Sequence, residues 1–168
     1  MPFRTHILCV ASRTVDSPEL LEALKARVAQ GPIHVTLLSP TPWSERADAQ
    51  KRVDAAIAAL TKEGIEAEGV LGDADPIVAV QETWNPGRFD DVIVSTFASP
   101  FSAWMRVDLP HRVQKLTDCT VHHVEAGPWR PPRPPAPVPQ RERSGLLPSV
   151  LSLMRARTRR SGEAHARY

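Results

Sequence analysis

The chain has 168 residues, long enough for one domain with its own core. Residues 1–125 carry 12 Lys+Arg against 17 Asp+Glu, a net of −5, and residues 126–168 carry 9 Arg against 2 Glu, a net of +7, so an acidic body precedes a basic tail. Cys9 and Cys119 do not form a C-x-x-C pair, which excludes a zinc ribbon; no apolar run approaches the ~18 residues of a membrane helix, and Ile7–Ala11 is too short for a signal-peptide core of ~7–15 residues. The expectation is a cytoplasmic protein with reduced thiols.

In chain order, His6–Ala11 is an apolar run without polar alternation, as in a strand buried on both faces. Ser17 then supplies a helix cap and Pro18 the first helical position, with Leu20, Leu21, Leu24 and Val28 on one face and Gly31-Pro32 as the stop. Ile33–Leu38 reads as the second strand, and a loop with Pro40, Pro42 and Trp43 follows. Val53, Ala56, Ile57 and Leu60 recur at helical spacing between Arg46 and Glu63, and Gly64 is placed to end that helix in the left-handed region. Ala67–Leu71 is a weaker third strand. Asp75-Pro76 repeats the cap-plus-proline device before Ile77, Val80, Gln81 and Trp84, and Asn85-Pro86-Gly87 stops the helix. Asp91–Phe97 is the clearest strand; Pro110 opens a fourth helix with Leu109, Val113 and Leu116 inward, and Thr120–Val124 makes a fifth strand. Five strands alternating with four helices call for a doubly wound α/β domain, a parallel sheet covered on both faces, over residues 1–126.

Residues 127–168 change character. Seven prolines fall within 128–139, which predicts an extended, polyproline-like, disordered tail. A short amphipathic helix is expected at 146–160, with Leu147, Val150, Leu151 and Met154 on one side and four arginines closing it. Those arginines suit an acidic partner or an anionic surface, but nothing predicts specific nucleic-acid binding.

Three stretches carry a family resemblance: Ile7–Ser12, Gly72-Asp73-Ala74-Asp75-Pro76 with Ile77–Val80, and Phe89–Thr96 with Leu109–Val113 and Cys119–Val124. In order and spacing these resemble the universal stress protein family over roughly residues 4–125. The resemblance implies a sheet of order 3-2-1-4-5, frequent dimerisation, and an adenine-nucleotide crevice in many members. This sequence departs from the ATP-binding pattern. Ser12 stands near the position of an acidic residue, Ser95–Ser102 contains no glycine where a G-x-x-G run belongs, and Asp108 stands near the G-S/T position. Side chains and Pro100 obstruct the close backbone approach that phosphates need, and a carboxylate repels them, so ATP is disfavoured and no cofactor is expected.

In such a sheet, ligands bind at the carboxyl ends of the strands where the order reverses, here between strands one and four. The candidate lining is Ser12, Arg13 and Thr14 on one side and Ser95, Thr96, Ser99 and Ser102 on the other, with Arg13 and Arg106 facing an anionic group. The competing reading is that these hydroxyls cap helices and satisfy loop backbone. His122 and His123 are adjacent on a strand and point to opposite faces, so they cannot hold one metal. His111 has no evident nucleophile to serve, and Asp73 and Asp75 read as turn former and cap. Strand five would be an edge strand without Pro, Lys or Glu in Thr120–Val124, so Val121, His122, His123 and Val124 are the expected homodimer interface. No catalytic set emerges. The expected function is a regulatory or small-ligand-binding module linked to stress. The alternatives are a slow ATP hydrolase and an interaction protein tethered by its tail.

Overall fold

The computed structural model describes residues 4–98, 102, 104 and 107–127. The expected tail and its 146–160 helix lie outside the described residues. Five strands, β1 (Thr5–Val10), β2 (Ile33–Pro40), β3 (Glu66–Gly72), β4 (Asp91–Phe97) and β5 (Val121–Ala126), alternate with α1 (Pro18–Val28), α2 (Arg46–Lys62), α3 (Pro76–Thr83) and α4 (Leu109–Thr117). A 3-10 turn at Trp43–Glu45 leads into α2. The sheet is wholly parallel, in the order β3-β2-β1-β4-β5.

The start signals act as the sequence predicts. Ser17 accepts from the Leu20 N–H at 3.2 Å, and Asp75 from the Ile77 N–H at 2.8 Å; each cap precedes a proline whose missing N–H costs the helix nothing. Asp73 folds the preceding turn by accepting from the Asp75 N–H at 2.8 Å. Gly64 ends α2 with φ +75°, a conformation strained for any residue with a Cβ.

β1 and β4 are central and buried on both faces, which is why they read as unbroken apolar runs. The core has two halves. On one face, Leu20 and Leu24 of α1 and Val53, Ala56 and Leu60 of α2 pack on Ile7, Cys9, Val35, Leu37 and Ile93. On the other, Ala79 and Val80 of α3 and Leu109 and Val113 of α4 pack on Leu8, Val10, Leu38, Val92 and Val94. Trp84 stacks on Phe89 at 5.9 Å between centroids and belongs to this second half.

Small departures have physical causes. Val28, expected inward, is exposed because α1 ends there. β5 runs to Ala126 rather than Val124, since the Ala98 N–H donates to the Ala126 carbonyl and extends the ladder; the strand therefore includes Glu125. No helix among the described residues is long and apolar enough to cross a membrane.

Candidate functional site

All the βα connections leave the carboxyl end of a parallel sheet, and the order reverses between β1, which is followed by a leftward crossover, and β4. The chain leaves β1 through Ala11 into a turn in which the Val15 and Ser17 N–H groups bond to the Ser12 and Thr14 carbonyls. Thr14 is buried, and its hydroxyl donates to the Ser95 carbonyl at 3.0 Å. That bond staples the β1 turn across the switch point to the end of β4.

Ser95 is itself fully buried, and its own Oγ has no hydrogen-bond partner among the described residues. A buried unpaired hydroxyl costs about 1–3 kcal/mol, so this atom marks a polar demand inside the switch point. Thr96 turns to the opposite sheet face, where its Oγ1 lies 2.8 Å from His123 Nε2 on β5. Ser12 and Ser102 are half-buried. Arg13 is exposed and pairs with Glu45 of the 3-10 turn at 3.5 Å. Ser99 and Arg106 lie outside the described residues.

The structure thus joins Thr14 to Ser95 and keeps Ser12 and Arg13 on the same turn, but it gives Thr96 a separate partner. Arg13 arrives already engaged. Three groups near this end escaped the sequence reading. Glu45 had no signal linking it to Arg13. His123 was legible only as an edge residue. Ser39 near the end of β2 and Thr41 just after it have their hydroxyls 3.2 Å apart, both buried, and only their place after the apolar Val35–Leu38 hinted at it.

Asp108 precedes α4 in the left-handed region, at φ 49° and ψ 51°, and makes no side-chain cap bond. Its carboxylate is exposed at a helix N-terminus, where a phosphate would otherwise be drawn. Burial pushes the Cys9 thiol up to about 12, so it is no nucleophile. On β5, His122 approaches Asp91 at 3.5 Å, and Asp91 is also held by Arg27 of α1. Among the described residues no three His, Cys, Asp or Glu side chains gather to hold a metal.

No family model matches the chain, and no curated protein does. Among solved structures, the universal stress protein from Archaeoglobus fulgidus superposes with a TM-score of 0.50. That alignment covers 72% of this chain and 93% of the archaeal one, at 18% identity. The fold is that of the universal stress proteins. Within it, the end of β4 and the residue that follows read Ser95-Thr96-Phe97-Ala98 without a glycine, and a left-handed aspartate precedes α4.

Proposed function

We propose that this chain is a regulatory module of the universal-stress-protein type that binds a small molecule between the carboxyl ends of β1 and β4 and does not turn it over. The observation that carries this reading is the Thr14–Ser95 staple with the unpaired Ser95 hydroxyl beside it. It supports a built polar site at the switch point, the position at which open parallel sheets in general bind ligands. The ligand expected is small and polar rather than a triphosphate. The end of β4 and Ala98 carry side chains where backbone N–H groups would need to approach phosphates, and the Asp108 carboxylate adds a repulsive charge.

The same reading includes a homodimer through β5. That edge presents Val121, His122, His123 and Val124 with a single carboxylate, Glu125, near its end, whereas the opposite edge strand, β3, carries two, Glu66 and Glu68, which blunt it. Stress-linked regulation rests on the likeness in fold.

The test is titration calorimetry with Mg-ATP, followed by a phosphate-release assay. The proposal expects neither a micromolar site nor turnover, and either result would defeat it. For any residual affinity, Asp108→Asn is the informative variant. It removes the charge while keeping a residue that tolerates the left-handed conformation. Light scattering tests the dimer: Val121→Lys should lower the mass of the assembly relative to the parent, and a parent chain that is already monomeric at all concentrations removes this part of the proposal.

A further inference from the structure

Two surface features of the described residues are left unused by the crevice and by the β5 edge. The first is Trp43, the most exposed large apolar side chain at 85%. It is presented rather than loose. The Arg46 guanidinium lies 5.4 Å from the centre of its ring and is itself tied to the Gly72 carbonyl at 3.3 Å, so one face of the indole is braced from the end of β3. The next bracing contact, Arg13–Glu45, holds the same 3-10 turn from the β1 side. Leaving an aromatic of about 150–250 Å² in water forgoes a large burial energy, and a large aromatic held in one orientation is what interface anchors are made of.

The second feature is an apolar slot of about 270 Å³ between α1 and α2. Leu20, Leu21 and Leu24 form one wall, and Ala56, Ala59 and Leu60 form the other. The alanines of α2 leave the space that larger side chains would fill. Near the C-terminal ends of the two helices, Lys25 and Glu63 bridge across at 3.5 Å. Toward the N-terminus of α1 the lining turns polar, with Asp16 and Ser17.

We infer that Trp43 of one copy seats in the α1–α2 slot of a second copy. Size supports the match: an apolar cavity of about 150 Å³ admits benzene, and an indole is the next larger ring system. Polarity matches as well. A buried indole N–H needs an acceptor, and the Asp16 carboxylate stands among the slot's lining residues. Charge complements in the same sense: with Arg13 paired to Glu45, the Arg46 guanidinium leaves the Trp43 turn net positive, while the Asp16 carboxylate belongs to the receiving side. Donor turn and slot belong to one chain, so a two-fold axis lets each copy give and receive, the commonest symmetry for an oligomer. This contact does not depend on the proposed ligand site and is distinct from the β5 edge.

Disulfide capture tests it on the full chain, with Cys119→Ser as the background and Cys9 buried. Proteins carrying Trp43→Cys and Ala59→Cys are mixed under mild oxidation, and peptide mapping reads the product. The expected result is an interchain disulfide between positions 43 and 59. Circular dichroism confirms that each variant is folded; Trp43 is exposed and Ala59→Cys adds a single sulfur. Folded variants that yield no 43–59 link overturn the inference. As a second arm, run in the Val121→Lys background so that the β5 edge does not contribute, sedimentation of Trp43→Ala should show self-association weakened by at least tenfold, and an unchanged profile would equally overturn it.

Discussion

The close approach of α2 to β3 makes Gly69 the most exacting position in the sheet. A Cβ placed there would lie 2.2 Å from Val53 Cγ1 and 3.2 Å from Ile57 Cδ1. Ordinary contact begins near 3.4 Å, so the helix or the strand has to move by more than 1 Å. Val53 cannot turn aside, because it is fully buried and a β-branched residue in a helix has one strongly preferred rotamer. Overpacking of this kind costs about 1–3 kcal/mol, while replacing glycine with alanine returns about 0.4–1 kcal/mol through the unfolded chain. Gly69→Ala should therefore destabilise by roughly 1–2 kcal/mol in urea titrations followed by circular dichroism, with an unchanged slope. Val53→Ala removes two methyl groups and costs about 2 kcal/mol alone, at about 0.8 kcal/mol per buried carbon plus a cavity term. In the double variant the clash with Val53 Cγ1 is gone and only the contact with the flexible end of Ile57 remains, so adding Gly69→Ala to Val53→Ala should cost little. The coupling should then be about 1–2 kcal/mol, within the range for residues in contact. Gly87→Ala, where the new atom would meet only the Asn85 side chain, is the control and should stay within about 0.5 kcal/mol. Strictly additive costs, or a Gly69→Ala protein as stable as its parent, would refute the packing argument.

Removing Arg27 should expose the dependence of Asp91 on its partner: Arg27→Met leaves a mostly buried carboxylate and should cost about 3 kcal/mol, toward the low end for a broken buried pair, and adding Asp91→Asn should recover part of it. The Glu68 carboxyl is held below its ordinary value first by the Thr36 hydroxyl and then by Arg88 and His34. A lowered carboxylate stabilises fully above the ordinary range near pH ~4.3 and loses that contribution as pH falls through the lowered value, so Glu68→Gln should lower stability slightly in the neutral region, leave the acid end little changed, and thereby flatten the acid limb of the stability profile. Thiol labelling of the native protein at pH 8 should modify Cys119, which is half-buried, and spare Cys9 until unfolding; prompt labelling of two thiols would contradict the buried first strand.

Much of the fold was legible because it rests on local chemistry. Ser17-Pro18 and Asp75-Pro76 start helices through their own side chains, Gly64 ends one through its own backbone, and doubly buried strands announce themselves as apolar runs. The candidate site was legible only as a place. Its actual bonds join residues far apart in sequence, 81 positions for Thr14 and Ser95 and 27 for Thr96 and His123, and no local pattern encodes such pairings. The same limit hid the partner of Arg13 in Glu45. The α1–α2 slot was invisible for another reason: Ala55, Ala56 and Ala59 read as ordinary helix formers, and only the separation of the helices shows that they leave space. The left-handed backbone of Asp108 was equally unreadable, because aspartate before a helix normally signals an extended cap.

The central claim is that the switch point between β1 and β4 holds a small molecule other than a nucleoside triphosphate. Native mass spectrometry of the gently purified full chain tests it most directly, run beside a Thr14→Val variant that lacks the staple. An added mass below that of ATP is expected on the parent chain, released on denaturation and absent or strongly reduced in the variant. A bare chain in every preparation, or a bound mass equal to that of ATP, would contradict it.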